Sequence, residues 1–173
     1  MVQDGRLWRL LRIEGNFNGP SVYRFPKAHW RQQPGEGPAG GMTGRGVHVV
    51  DAMLDLAGHV ESVVAQSARL VLDYGLDVTT SMLFRFENGA TGHLGTVIAT
   101  AEGWRMQVLG SKGWAKVGSI PHLHTWSLTT WMVDGQPTAI DYPKGCSERA
   151  ELEGFADAIE GSLPFACPPE AIG

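Results

Sequence analysis

The sequence predicts an α+β fold: one open, mostly antiparallel β-sheet with helices on one face. Three observations predict it. Apolar and polar residues alternate with period two through much of the stretch from residue 60 to residue 142. Turn pairs punctuate that stretch, above all Asn88-Gly89, where both residues tolerate the positive φ of a tight hairpin. Only two segments show helical spacing, enough to cover one face of roughly seven or eight strands.

Taken in order, Leu7-Trp8-Arg9-Leu10-Leu11-Arg12-Ile13-Glu14 is apolar enough for an opening strand. Residues 18–46 follow as a long Gly/Pro-rich connection holding Pro20, Pro26, Pro34 and Pro38, and connections of that length are usually functional. Val47, Val50, Leu54 and Ala57 recur at helical spacing, which predicts a helix over 43–57 that Gly58 stops. Strands are expected from Val60 to Leu72 and from Val78 to Phe86, the latter placing Met82, Phe84 and Phe86 on one face. Ala90 to Thr100 returns. Trp104 to Leu109 and Trp114 to Val117 are joined by a turn at Ser111-Lys112-Gly113. Leu123 to Val133 ends at Asp134-Gly135, and Thr138 to Tyr142 lies beyond it. Ser147 is expected to cap a second helix with Glu148 in its first turn, and Leu152, Phe155, Ala156 and Ile159 form its apolar stripe.

Several strands are apolar on both sides, with Leu83 opposite Phe84 and Leu128 opposite Trp131. Such a sheet is expected to bury its second face against another copy of the chain, the alternative being a sheet rolled into a barrel. Trp104, Trp114, Trp126 and Trp131 read as core or interface anchors.

Bulk properties bound the function. The 173 residues are 43% hydrophobic and 18% charged, as expected of one ordered domain. A net charge of −4 argues against a nucleic-acid or anionic-membrane surface. No apolar run approaches the ~20 residues that cross a bilayer, and Met1 to Gly5 lacks signal-peptide character. Cys146 and Cys167 show neither disulfide-framework nor zinc spacing, so a cytoplasmic location is expected.

Gly40-Gly41-Met42-Thr43-Gly44-Arg45-Gly46-Val47-His48 reads as the floor of a small-molecule site. Glycines allow close approach of a ligand, and a histidine one turn inside the helix can exchange a proton near neutral pH. His48 and Asp51 have spacing that admits a metal pair, yet no third ligand is fixed, and no metal is expected. The strand-spaced pair His122 and His124 is explained as well by a polar edge. Lys27 and Arg31, with His29 and Trp30, gather cations and an aromatic on the long loop, where a solvated basic loop and a substrate clamp are both open readings. Gly35-Glu36-Gly37-Pro38-Ala39-Gly40 matches a dinucleotide fingerprint only literally, because a polar stretch ending in Pro34 precedes it instead of a strand.

Gly5 to Leu11, His29-Trp30-Arg31, Gly40 to Asp51, Phe86 to Ala90, Val108 to Gly113 and Glu151 to Phe155 together resemble the C-terminal domain of the Gfo/Idh/MocA oxidoreductases, the relatives of glucose–fructose oxidoreductase and inositol dehydrogenase. The resemblance implies a single substrate-binding and oligomerisation domain over 1–173, shortened at both ends relative to the family. It further implies NAD or NADP as cofactor of a complete protein, bound by a Rossmann domain that this sequence lacks, so the isolated chain is expected to bind no cofactor and to be inactive. His48 matches the family's active-site histidine. Thr43, Arg45, Lys27 and Arg31 are the candidate substrate-binding residues, and a small molecule bearing a CH–OH group (a sugar, polyol or cyclic diol) is the expected substrate. The family's usual aspartate four residues before the histidine is Gly44 here, which favours the rival reading of a non-catalytic assembly or ligand-sensing module.

Overall fold

The structure, a computed structural model, describes residues 1–2, 4–119, 125–143 and 145–165. The chain divides into two units, Met1–Pro143 and Lys144–Gly173. In the first, eight strands form one sheet: β1 (Leu10–Asn18), β2 (Val60–Ala68), β3 (Thr79–Phe86), β4 (Thr91–Val97), β5 (Gly103–Gly110), β6 (Gly113–Ser119), β7 (Trp126–Met132) and β8 (Thr138–Tyr142). Two short helical pieces, α1 (Ser21–Arg24) and a 3-10 turn (Trp30–Gln32), precede a π-helical turn (Met42–Gly46) that runs directly into α2 (Val47–Ala57). The second unit holds α3 (Ser147–Ile159).

The strand order is β2-β3-β4-β1-β5-β6-β7-β8. Hairpins build the two halves as their turn residues require, and β1 joins them, parallel to β4 and antiparallel to β5. That one parallel pair departs from hairpin order, because the crossing from β4 to β5 must pass around the end of β1. The sheet ends in edges β2 and β8 and is therefore open, not a barrel.

One face carries the core. Ile13 and Gly15 of β1, Phe84 and Phe86 of β3, Leu94 of β4, and Met106 and Val108 of β5 are buried on it, and Val49, Met53 and Ala57 of α2 lie over them. The alternation of Met82, Phe84 and Phe86 on a single face is thus as expected. A Cβ added at Gly15 would overlap Val49 Cγ1 and stand 3.2 Å from Met53 Cε, so the missing side chain is what seats the helix on β1. At the far end of α2, Gly58 takes φ 79° and donates its N–H to Leu54 O at 2.8 Å. Asn88 serves both the hairpin and the helix: Nδ2 donates to Ala57 O at 2.8 Å while Oδ1 accepts from Ala90 N–H at 2.9 Å.

Three expectations are corrected. The strand from Val60 ends at Ala68 and not Leu72, because residues 69–77 leave the sheet and Gly75, at φ 80°, turns over Gln32. The connection 18–46 carries short helices and is pinned from within. The buried Gln32 amide donates to Val22 O (2.9 Å) and Phe25 O (3.2 Å), and Val22 N–H reaches Ile98 O at 3.1 Å. Ser147 opens α3 without capping it: Cys146 occupies the cap position, and Ser147 Oγ bonds the neighbouring Glu148 carboxylate at 3.2 Å. The segment Pro121 to His124 and the end of the chain from 166 lie outside the described residues.

Replacing Gly15 with Ala forces Val49 aside. A loss of about 1–3 kcal/mol is expected, the usual cost of overpacking a tight core. Urea unfolding followed by tryptophan fluorescence checks it, and an unchanged midpoint would contradict the packing described.

Candidate functional site

β1 brings its last residues to the start of α2. Continuing the alternation of Ile13 and Gly15, Phe17 points to the helix-covered face, and Trp104 of β5 stands opposite it. The glycine-rich run then drops the chain onto the neighbouring strands. Gly40 takes φ 56°, and a Cβ there would overlap Asp77 O. At Gly41 a Cβ would come 2.7 Å from Thr96 Oγ1 and 2.9 Å from Ile98 Cγ2, and at Gly46 it would collide with Met42 Sδ. The tight packing is absorbed by the π-helical turn, a geometry common where a helix is reshaped for function.

Arg45 locks that turn. Its Nη1 donates to Asn18 O at 3.0 Å, its Nε to Ser21 Oγ at 3.2 Å, and its guanidinium carbon lies 4.7 Å from the Phe17 ring centroid. Nη2 is 4.0 Å from Glu102, which also holds Arg24 at 2.8 Å. The side chain is only 11% exposed. Burial pulls its pKa below the ordinary guanidinium value, the Glu102 carboxylate opposes that shift, and the Arg24 charge adds to it. Gly19 gives the guanidinium its room, because a Cβ there would overlap it.

One turn on, His48 is exposed, its ring centroid 6.2 Å from that of Phe17 and tilted by 51°. Thr43 is exposed on the same turn. The structure therefore brings together Thr43, Arg45 and His48, with Arg45 bound inside the fold and the other two facing outward. Lys27 and Arg31 are placed on the preceding loop, over aromatic rings. Lys27 Nζ is 4.8 Å from the Tyr74 centroid, and the Arg31 guanidinium is 4.7 Å from Trp30 and 5.6 Å from Phe25. His29 stacks on Phe25 at 4.4 Å, and its Nδ1 accepts the Arg31 N–H at 3.1 Å. Asp51 is exposed on α2, and among the described residues no three His, Cys, Asp or Glu side chains cluster as metal ligands. His122 and His124 fall outside those residues.

An exposed imidazole beside an aromatic ring, on a turn held by internal bonds, can take or give a proton and can pack a ring or aliphatic face. A dinucleotide is another matter. Gly35 to Gly40 lies in turns between the 3-10 and π-helical pieces, with no strand leading into it, so these residues do not form a phosphate cradle for NAD or NADP. Phe17, Asn18, Ser21 and Glu102 belong to the site and are missed by motif reading. Only the period-two pattern of Ile13, Gly15 and Phe17, extended past Glu14, carries a signal for the first of them.

Residues 1–116 match the GFO/IDH/MocA C-terminal domain family, and the chain belongs to it. Its fold recurs in solved structures. A candidate NADPH-dependent oxidoreductase of Desulfitobacterium hafniense is 22% identical, with a TM-score of 0.87 over 99% of this chain and 53% of that one. An aldose–aldose oxidoreductase of Caulobacter crescentus is 17% identical, with a TM-score of 0.80 over 98% and 51%. A UDP-N-acetylglucosamine 3-dehydrogenase of Acidithiobacillus ferrooxidans is 19% identical, with a TM-score of 0.75 over 98% and 51%. The chain spans about half the length of these proteins. No curated protein sequence matches it.

Removing the clamp with Arg45→Met keeps the buried stem and leaves Asn18 O and Ser21 Oγ without their donors. A loss of about 1–3 kcal/mol is expected, read by chemical denaturation. Unfolding at the wild-type midpoint would show that the guanidinium bonds do not hold the turn.

Proposed function

We propose that this chain is the substrate-binding and oligomerisation domain of an NAD(P)-dependent oxidoreductase that acts on a CH–OH group of a sugar, polyol or cyclic diol. The observation that carries the reading is His48: an exposed imidazole on a clamped turn in a domain of this family. The carbohydrate substrates in the names of the Caulobacter and Acidithiobacillus proteins support the substrate class.

Oxidation of a carbinol removes a hydride from carbon and a proton from oxygen. In this reading His48 takes the hydroxyl proton as general base and returns it in the reverse direction. Thr43 offers a hydroxyl to a neighbouring oxygen, Phe17 supplies an apolar floor, and Lys27 and Arg31 act from the loop as further substrate contacts. Arg45 serves by holding the turn that carries His48. In this reading the hydride acceptor is NAD or NADP, held by a Rossmann domain of the complete protein.

The face of the sheet away from α2 supports self-association. Val64 is 67% exposed, Leu83 56% and Trp131 45%, and Trp114 packs against Trp131 at 6.3 Å. Light scattering at micromolar concentration is expected to give a dimer or larger assembly, and a monomer would refute this part of the proposal.

Titrating the isotope-labelled chain with D-glucose and with myo-inositol is expected to shift the His48 and Thr43 resonances, and His48→Asn is expected to weaken binding about tenfold. Adding NAD to the same mixture should yield no NADH. Shifts absent from this turn with both probes, or turnover by the chain alone, would contradict the reading.

A further inference from the structure

We infer that β2 is a self-pairing edge: two copies of the chain join by antiparallel β2–β2 pairing about a two-fold axis at Val64, so that one sheet runs through both. The inference is independent of the substrate reading, and it adds a second contact, different from the one through the face away from α2. β2 (Val60–Ala68) ends the sheet, with β3 on one side and no strand on the other among the described residues. An edge strand presents a row of unpaired N–H and C=O groups on which another chain can build. The two edges of this sheet are guarded unequally. β8 has five residues, carries Asp141 and is bounded by Pro137 and Pro143, devices that hinder strand addition. β2 has nine residues without proline, lysine or arginine, and its one charge, Glu61, lies in the bulge between Val60 and Ser62. Glu61 to Ser67 are all exposed.

The order of residues in β2 selects a second copy as the partner. Read outward from Val64, Val63 and Ala65 are apolar, Ser62 and Gln66 polar, Glu61 and Ser67 polar, and Val60 and Ala68 apolar. Polarity thus runs the same way in both directions. A contact between identical strands about a two-fold axis must match itself in this manner, because each residue meets its mirror position in the partner. With Val64 opposite the partner's Val64, all nine residues pair. Val63 meets the partner's Ala65, Ser62 the partner's Gln66, Glu61 the partner's Ser67, and Val60 the partner's Ala68. No apolar side chain faces a polar one, and no carboxylate faces another. Sliding the register by two residues either way sets Val64 against the partner's Gln66 or the partner's Ser62, so the match specifies one register. Apolar side chains are uncovered on both faces of this edge. Val63 pairs with the buried Phe84 on the α2 side yet is 48% exposed, and Val64 is 67% exposed beside Leu83 on the other. Pairing covers both valines.

Disulfide trapping in a chain carrying Cys146→Ser and Cys167→Ser tests the register, because opposed Cα atoms stand about 4.5–5.5 Å apart, within reach of a disulfide. Val64→Cys is expected to cross-link under mild oxidation. Ser62→Cys and Gln66→Cys should each stay uncross-linked alone, since four residues set each about 13 Å from its own copy. Mixed, they should cross-link. Packing through the face away from α2 cannot give this pattern, because stacked sheets lie about 10 Å apart. Val133→Cys, at a site 71% exposed beyond β7, is the collision control and should not cross-link. Val63→Lys places a charge on the edge and is expected to halve the mass read by light scattering at micromolar concentration. Trapping decides alone should that variant alter the circular dichroism spectrum. Leu83→Lys charges the face away from α2 and should leave both cross-links in place, which separates failure of that contact from failure of the edge. No cross-link in Val64→Cys, an equal one in Val133→Cys, one in Ser62→Cys alone, or loss of the cross-links in Leu83→Lys would overturn the inference.

Discussion

The structure depends on the close approach of α2 and its leading turn to β1. Two missing side chains make that approach possible. Gly15 admits Val49, and Gly19 admits the Arg45 guanidinium. With those contacts closed, Phe17 is covered by Arg45 on one side and approached by His48 on another, and the end of β1 becomes the floor of a site. The bonds from Arg45 to Asn18 and Ser21 tie the glycine-rich stretch to the end of β1 and the start of α1. A largely enclosed cation of this kind is tolerated because Nε and Nη1 are hydrogen-bonded and Glu102 lies 4.0 Å from Nη2.

Much of this was legible beforehand. Alternation and turn residues identify β3 to β8 to within a few residues, because a half-buried strand must alternate and a tight hairpin must accommodate positive φ. The Asn88-Gly89 turn and the Gly58 stop fall where expected. The place of β1 was not legible. A strand with no hairpin partner can join any open edge, and its insertion between β4 and β5 reflects long-range pairing that no local pattern encodes. The same holds for the partners of Arg45. Its i, i+3 relation to His48 is visible in the sequence, whereas the approach of Asn18 and Ser21 follows only from the path of residues 18–46.

The candidate residues consequently divide by role. Thr43 and His48 face outward from one turn, Arg45 faces inward and supports them, and Lys27 and Arg31 lie over the rings of Tyr74, Trp30 and Phe25. A glycine-rich turn that reads as one motif thus contains three different physical functions: steric clearance at Gly40, Gly41 and Gly46, anchoring at Arg45, and presentation at Thr43 and His48.

The contact of Phe17 with both Arg45 and His48 is the point at which fold and proposed chemistry meet. Nuclear Overhauser spectroscopy on the isotope-labelled chain observes it directly. Cross-peaks from the Phe17 ring protons to the Arg45 side chain and to the His48 imidazole are the predicted result. A Phe17 ring with cross-peaks to neither would mean that the turn does not dock on β1 and that His48 is not held where a reactant could meet it.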